Sequence, residues 1–367
     1  MTYRPKTTFR SLATVIFVLA VLVPSVGSLP QARGASIPVF EVDPNWPKIP
    51  AQWKLGAASS IAVDAQDRIW VLHRPRTLPK DQLSSAAPPI VVFDQAGNFV
   101  KAWGGAGTGF EWPAQEHGIH IDHKGFVWVG GNYCTAQPAP GTTPVVDDQI
   151  LKFTQDGKFV MQIGRSSQSK GNADTENLHR PADAYVDRNT NELFVADGYG
   201  NHRIIVMDAA TGKFKRMWGA FGNQPVDKYD CRPAPRNPVP PGDGPPQFGV
   251  VHAIRVSKDG MVYVVDRENR RVQTFTRQGK FVKQLVRGSV PFALDLALSK
   301  DPKQQFLYVG GGTDIVVVHR KTLEIVTTLE GGGIIGGGHQ METDSKGNLY
   351  VALTNRGLQK LIFKGTR

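Results

Sequence analysis

Short apolar runs alternate with polar turns along most of the chain, and one pattern recurs six times. Each copy has a short strand rich in β-branched or aromatic residues, a polar turn with Asp, Lys or Gly, and a second strand. The copies are residues 61–72, 119–130, 184–196, 254–265, 296–309 and 341–352. A second hairpin follows in five of the six copies, and no helical period competes with these strands after residue 35.

Four strands per copy, repeated six times, predict an all-β fold, the six-bladed β-propeller. The last copy ends at 362–365 and lacks its fourth strand, and the segment SIPVFEV at 36–42 has the alternation to supply it. Pairing the two ends of the chain closes the ring and removes an open sheet edge. We therefore predict one propeller domain over residues 36–367.

The connections between strands divide into short turns and long loops. The long loops, rich in Pro, Gly and Ser, are residues 73–89, 130–148, 164–180 and 220–248. In a propeller these two classes lie on opposite faces, so the face with the long loops is where we expect function. Cys134 and Cys231 both fall in long loops, and a disulfide between them is compatible with the fold.

The N-terminal residues 1–35 have the features of a signal peptide. Basic residues precede an apolar run over 12–23, which is shorter than the roughly 20 residues that a bilayer span needs. Small residues follow, and cleavage is expected between positions 27 and 35. The mature protein is therefore predicted to be exported, periplasmic or secreted, with no membrane attachment.

Removing residues 1–35 lowers the net charge from +11 to +7, because four basic residues and no acidic residue are lost. The remaining basic residues are interspersed with acids rather than gathered in a stripe, which favours a soluble protein over one that binds nucleic acid. Two cysteines are too few for a cysteine-based metal cluster. We expect a monomer.

Three histidines fall at equivalent positions of the repeat. Five residues before the aligned turn residue, the six copies carry Ser59, His117, Ala182, His252, Leu294 and His339. Alternate copies of a six-fold ring lie about 120° apart, so three imidazoles converge on the axis. Neutral imidazoles suit Zn²⁺, and three protein ligands with an open fourth position form the catalytic arrangement. The pattern favours zinc over iron, copper or nickel.

Three further side chains are expected on the same face. Tyr199 lies in a turn of the third copy, and the equivalent turns of the fourth and first copies offer Arg267 and Arg74. A metal dication and two guanidiniums favour a phenolate, so Tyr199 is a candidate proton acceptor. Arginines beside a cationic site indicate an anionic substrate, most simply a carboxylate bound bidentately.

The motifs that contain these residues resemble those of a known family. They are LHRP around Arg74, EHGIHID at His117, LFVADGYGNHRI at Tyr199, VVDRENRRVQTF at Arg267 and GGGHQ at His339. From about residue 56 to residue 364 the chain resembles the peptidyl-α-hydroxyglycine α-amidating lyases, which are six-bladed propellers of NHL repeats. The resemblance implies that the three histidines bind zinc, that Tyr199 is the base and that the two arginines frame the substrate. It also implies that a C-terminal α-hydroxyglycine is converted to an amide and glyoxylate.

The same resemblance implies a structural calcium in the central channel. Its ligands map to the main-chain carbonyls of Ile61 and Ile119 and to the side chain at position 340. The family has an acid there, whereas this chain has Gln340, a neutral and weaker ligand for Ca²⁺. A family cysteine that follows the tyrosine is replaced by Gly200.

Two alternatives remain open at the level of sequence. A non-catalytic NHL propeller would bind a protein or glycan partner with its elaborated face and would need no metal. A propeller lactonase would use carboxylates around calcium. Asp183 and Asp295, the acids one residue past the histidine position, are interpreted as structural residues of the repeat.

Overall fold

Six four-stranded antiparallel sheets make up the blades of the propeller. The computed structural model describes residues 36–135, 142, 145–226, 242–286, 295–334 and 336–367. Blades 1 to 3 comprise β2 (Ala57–Val63), β3 (Ile69–Arg74), β4 (Ile90–Phe93), β5 (Phe99–Trp103); β6 (Glu116–Ile121), β7 (Val127–Gly131), β8 (Ile150–Phe153), β9 (Phe159–Ile163); and β10 (Asp183–Asp187), β11 (Glu192–Asp197), β12 (Arg203–Asp208), β13 (Phe214–Trp218). Blades 4 and 5 comprise β14 (Val251–Val256), β15 (Met261–Asp266), β16 (Arg271–Thr276), β17 (Phe281–Val286); and β18 (Asp295–Leu298), β19 (Phe306–Gly311), β20 (Asp314–His319), β21 (Ile325–Leu329).

Blade 6 joins the two ends of the chain. It comprises β22 (Gln340–Thr343), β23 (Leu349–Leu353), β24 (Gly357–Thr366) and, from the N-terminal side, β1 (Pro38–Val42). Strand β1 pairs antiparallel with β24, and the main chains of Ile37 and Arg367 exchange two hydrogen bonds of 2.8 and 3.0 Å. The predicted six-bladed propeller and its closure by an N-terminal strand are confirmed.

A recurring aspartate explains why the first hairpin of several blades folds alike. The Oδ1 atom of Asp64 accepts hydrogen bonds from the main-chain N–H groups of Gln66 and Arg68, both at 2.9 Å. Its Oδ2 atom accepts from Trp70 Nε1 at 2.8 Å. Asp122 and Asp344 make the same kinds of bonds in blades 2 and 6. The carboxylate thus closes the turn and anchors the next strand, which sets the register of the inner strands.

The core lies between blades. In the part of the chain that the structure describes, six apolar clusters each combine side chains of two neighbouring blades, and together they go around the ring. The inner strands contact one another in the order β2, β6, β10, β14, β18, β22 and back to β2. Each inner strand is therefore held from both sides, and residues at equivalent positions face the same axis.

Short 3-10 helices interrupt two of the long loops, at Pro75–Thr77, Lys80–Ser85 and Ala220–Gly222. No helix in the described ranges has the length and apolar character to span a bilayer. The predicted signal peptide over 1–35 and the predicted disulfide cysteine Cys231 lie outside the described residues. Cys134 is described, and its main chain forms an isolated antiparallel β-bridge with that of Val146.

Candidate metal centre

The three histidines at equivalent positions of the repeat come from alternate blades and meet at one end of the ring of inner strands. His117 lies in β6, His252 lies in β14 and His339 directly precedes β22. The ring centroids are 4.7 to 5.1 Å apart in the three pairs. One nitrogen of each ring lies within 4.8 Å of the corresponding nitrogen of the other two. The structure therefore brings together the three side chains that the repeat predicted as a ligand set.

Main-chain carbonyls of the histidine-free blades orient two of the rings. Nδ1 of His117 donates to the carbonyl oxygen of Ala182 at 2.7 Å, and Nδ1 of His339 donates to that of Ser59 at 2.6 Å. Ala182 and Ser59 occupy the histidine position of blades 3 and 1. Alternate blades thus supply a ligand and the acceptor that orients it. A hydrogen on Nδ1 leaves the lone pair on Nε2, as in metal-binding histidines whose other ring nitrogen donates to a carbonyl oxygen.

Burial keeps these imidazoles neutral. It lowers the pKa of His117 well below its usual value, and the other two histidines and Arg74 lower it further by repulsion. Burial also lowers the pKa of His339 to about 4, although the bond to Ser59 opposes the shift. Only the neutral form of imidazole binds a metal, so the site favours the binding form at neutral pH.

The donor set fits a zinc ion. Nitrogens at 2.0–2.1 Å from a tetrahedral Zn²⁺ are about 3.4 Å apart, so each ring would move by less than about 1 Å from its present position. Three histidines leave a fourth position for an oxygen of a substrate or water, as in catalytic rather than structural zinc sites.

Tyr199 lies against the histidines, in the turn between β11 and β12. Its hydroxyl oxygen is 3.0 Å from Nε2 of His117 and 3.1 Å from Nε2 of His252. Nη1 of Arg267 donates to the same oxygen at 2.8 Å, and the guanidinium carbon lies 4.9 Å from the centroid of the phenol ring. The phenol is therefore held between a cation and the ligand set.

Two arginines bring positive charge to this face. Arg267 is held by Glu268 through Nε at 2.7 Å and Nη2 at 2.6 Å. Burial alone would lower the pKa of Arg267, but Tyr199 and Glu268 raise it above its ordinary value. Arg74 ends β3, and its Nε donates to the carbonyl oxygen of Glu116 at 2.7 Å. Burial lowers the pKa of Arg74, and the electrostatic interaction with Tyr199 opposes the shift.

Buried ion pairs behind the turns of Tyr199 and Arg267 were not predicted from the sequence. Oδ2 of Asp197 accepts from Asn201 Nδ2 at 2.8 Å and from Arg203 Nε at 2.9 Å. Asp266, Asn269 and Arg271 make the same set behind the turn of Arg267, with both bonds at 2.8 Å. The signal was present as an Asp, Asn and Arg in each of the two aligned turns. These sets fix the turns from which Tyr199 and Arg267 project.

A histidine also supports the turn of Tyr199. Nδ1 of His179 lies 2.6 Å from Oδ1 of Asp148, and the carbonyl oxygen of His179 accepts from the N–H of Gly200 at 3.0 Å. A Cβ atom at position 200 would lie 2.1 Å from the His179 ring, so the ring occupies the space that a larger residue would need. The next residue, Arg180, places its guanidinium 5.5 Å from the centroid of the Tyr199 ring. Gly200 is thus required by its contact with His179.

The positions assigned to calcium lie just below the histidines. Ile61 and Ile119 lie in β2 and β6, two residues after the histidine position. The side-chain oxygen of Gln340 accepts a hydrogen bond from the hydroxyl of Ser60, whose oxygen accepts from the N–H of Ile119 at 3.0 Å. The Gln340 amide oxygen therefore already has a partner.

Known proteins resemble the chain in a short sequence repeat and in the overall fold. Residues 178–207, which include Tyr199, match the NHL repeat. A solved structure described as a streptogramin B lyase shares the fold, with a TM-score of 0.53 and 15% identity over 89% of this chain and 98% of that one.

Three relatives illustrate the sequence similarity. Peptidyl-glycine alpha-amidating monooxygenase B of Xenopus laevis is 28% identical over 67% of this chain, which spans 26% of that protein. Peptidyl-alpha-hydroxyglycine alpha-amidating lyase 2 of Drosophila melanogaster is 28% identical over 65% of this chain and 52% of its own length. NHL repeat-containing protein 3 of Mus musculus is 25% identical over 65% of this chain and 57% of its own length. The chain is thus a six-bladed β-propeller with one stretch that matches the NHL repeat, and it resembles the peptidyl-α-hydroxyglycine α-amidating lyases.

Proposed function

We propose that this protein is a zinc-dependent carbon–nitrogen lyase that cleaves an N-substituted α-hydroxyglycine to an amide and glyoxylate. The observation that carries the proposal is the position of the Tyr199 hydroxyl, 3.0 and 3.1 Å from Nε2 of His117 and His252. An acid–base group in that position can reach a hydroxyl bound at the open coordination site. The lyase name of the Drosophila relative supports the same reaction.

The reaction moves one proton from the substrate's hydroxyl oxygen to its amide nitrogen, in two transfers through Tyr199, and needs no co-reactant. Zinc held by the three histidines would stabilise negative charge on the substrate's hydroxyl oxygen. The Tyr199 oxygen takes the hydroxyl proton, and the electron pair of that O–H bond becomes the new C=O bond of glyoxylate. The C–N bond breaks, its electron pair stays on the amide nitrogen, and this nitrogen takes the proton from Tyr199. Tyr199 thereby returns to its starting state.

The arginines select and orient the substrate. Arg267 donates a hydrogen bond of 2.8 Å to the Tyr199 oxygen and so positions the oxygen that would accept the proton. Arg74 and Arg267 together supply two guanidiniums on the face where the carboxylate of an α-hydroxyglycine would lie, and guanidiniums bind carboxylates bidentately. The substrate is therefore a small molecule or peptide that ends in a free carboxylate.

Metal content and product release test the proposal together. Purified wild-type protein should contain about one zinc per chain by elemental mass spectrometry and should release glyoxylate from α-hydroxyhippurate. His252→Ala should lose both the zinc and the turnover. His319→Ala is the matched control, because this histidine ends β20, away from the three histidines, and its Nδ1 hydrogen-bonds to the hydroxyl of Thr322 at 3.1 Å. The control should keep the zinc and the turnover.

The outcomes separate the parts of the proposal. Zinc without glyoxylate release would keep the metal site and refute the substrate class. Wild-type protein without zinc, even after incubation with zinc, would refute the lyase and leave the propeller as a binding module. Export is a further part of the proposal, and N-terminal sequencing of the secreted or periplasmic protein should find a start between positions 28 and 36.

A further inference from the structure

We infer that the guanidinium of Arg255 is the axial cation of this propeller and stands in place of a structural calcium ion. The inference concerns the channel below the three histidines and does not depend on the proposed lyase activity. It starts from the residues one and two positions after the histidine position in each blade. Those side chains and main-chain carbonyls are the oxygen donors available to a cation on the axis.

Arg255 reaches the acids that follow the histidine position in blades 3 and 5. Its Nη1 lies 2.5 Å from Oδ2 of Asp183, and its Nη2 lies 3.4 Å from Oδ2 of Asp295. Its Nε lies 3.7 Å from Oε2 of Glu342 in blade 6. Three carboxylates from three blades therefore surround one guanidinium, and all four side chains are buried or nearly so. Asp183 and Asp295, interpreted from the sequence as structural, are the principal partners of this cation.

The guanidinium also donates hydrogen bonds to main-chain carbonyl oxygens at the level assigned to calcium. Nη1 donates to the carbonyl oxygen of Ile254 at 2.8 Å, and Nη2 donates to that of Met341 at 3.3 Å. Ile254 and Met341 are two residues past the histidine position in blades 4 and 6, just as Ile61 and Ile119 are in blades 1 and 2. Arg255 thus binds carboxylate and carbonyl oxygens, the donor types that Ca²⁺ prefers.

The side chain of Gln340, at the position where the family has an acidic ligand, does not fit calcium. The oxygen of Gln340 is already bonded to the hydroxyl of Ser60, and within the described residues its Nε2 is buried without a hydrogen-bond partner. A calcium ion beside the guanidinium would add two positive charges to a channel that already holds a cation. The neutral Gln340 and the cationic Arg255 therefore together replace the acidic side chain and the calcium ion that the family resemblance implies.

A tethered cation has a consequence that a bound ion lacks. The stabilisation from a bound calcium ion grows with the logarithm of the free ion concentration, whereas the guanidinium is part of the chain and is always present. The wild-type melting temperature should therefore be independent of calcium. Removing the guanidinium leaves Asp183, Asp295 and Glu342 around a space lined by carbonyls, and this space should bind Ca²⁺.

The experiment compares the melting temperatures of full-length variants in metal-depleted buffer and in buffer with 5 mM CaCl₂ (about ten times a typical dissociation constant of a weak extracellular calcium site). Wild type should shift by less than about 1 °C. Arg255→Ala should melt at a lower temperature than wild type and recover by about 2–5 °C with calcium. Arg271→Ala is the matched control, because it also removes a buried arginine, which in the described residues forms an ion pair with one acid, Asp266, rather than with three. It should melt lower and not respond to calcium.

A second variant covers the case in which Arg255→Ala does not fold without calcium. Arg255→Gln keeps a polar side chain in the channel, and both variants are also produced in medium with CaCl₂. Calcium bound per chain is counted directly by elemental analysis after desalting. One calcium bound to wild type, with a rise in its melting temperature, would overturn the inference. Folded Arg255 variants that neither bind calcium nor respond to it would overturn it as well.

Discussion

Removal of the Tyr199 hydroxyl is the most direct test of the proposed chemistry. Tyr199→Phe deletes the oxygen that receives the 2.8 Å hydrogen bond from Arg267 and lies 3.0 Å from His117 Nε2. A positioned acid–base group contributes about 10²–10⁴-fold to a rate, which corresponds to about 3–5 kcal/mol of activation free energy. The lost hydrogen bond should lower the free energy of unfolding by only about 1 kcal/mol. The expected loss of turnover is therefore far larger than the loss of stability.

The assay measures kcat for glyoxylate release, zinc per chain and the melting temperature. Tyr199→Phe should keep its zinc, because the three imidazoles are unchanged. Tyr263→Phe is the matched control: it too removes a phenol oxygen that accepts from an arginine, Arg320 Nη1 at 3.1 Å, but in the core between blades 4 and 5. Both variants should lose a few degrees of melting temperature, and the control should keep its turnover.

Two results would refute the reasoning. If Tyr199→Phe keeps its zinc and a kcat within about threefold of wild type, the phenol is not the base. If Tyr199→Phe and Tyr263→Phe lose turnover equally, the loss reports general destabilisation rather than chemistry. A drop of about 100-fold or more in Tyr199→Phe alone is the outcome that the geometry predicts.

Two further predictions concern the turn of Tyr199 and the response to acid. Gly200→Ala should lower kcat by about 10–100-fold with zinc retained, because its Cβ would lie 2.1 Å from the His179 ring and displace the turn. The control is Gly130→Ala, whose Cβ would lie 3.6 Å from its nearest atom, and this variant should keep its turnover. Burial lowers the pKa values of His73 and His339 to about 4, so the unfolded chain binds more protons than the folded one between about pH 6.5 and 4. The contribution of these two histidines to stability should therefore be fully present above pH 6.5 and fall towards pH 4, against the opposite contribution of Asp147, whose pKa burial raises to about 6. Thermal melts of the metal-free protein at pH 7, 5.5 and 4.5 that coincide would contradict a net loss.

The fold was predictable because each blade has the same pattern of residues in the sequence. The turn aspartates Asp64, Asp122 and Asp344 recur with the strands that they anchor, so an alignment of the copies is also an alignment in space. The same alignment predicted that the three histidines would meet, because equivalent positions of alternate blades face one axis. It also placed Tyr199 and Arg267 in equivalent turns.

Contacts that break the symmetry could not be predicted in the same way. Arg255 lies three residues past the histidine position of one blade, and its partners Asp183 and Asp295 lie 72 and 40 residues away in the chain. The contact of His179 with Gly200 joins a long loop to a turn of the next hairpin. A repeat pattern gives the position of each residue on the ring but not the reach of a single long side chain across it.

The charges along the axis give a physical reason for the exchange of a metal for a guanidinium. Strands rise about 3.3 Å per residue, so the level of Arg255 lies roughly 5–10 Å below the histidines. A second dication at that distance from zinc would be repelled by about 7–13 kcal/mol at an effective dielectric constant of 20, whereas a guanidinium would be repelled by half as much. The carboxylate of Asp183, with Oδ2 2.5 Å from Nη1 of Arg255, also offsets the charge of the guanidinium. A singly charged group at this level is therefore more compatible than Ca²⁺ with the zinc ion proposed above it.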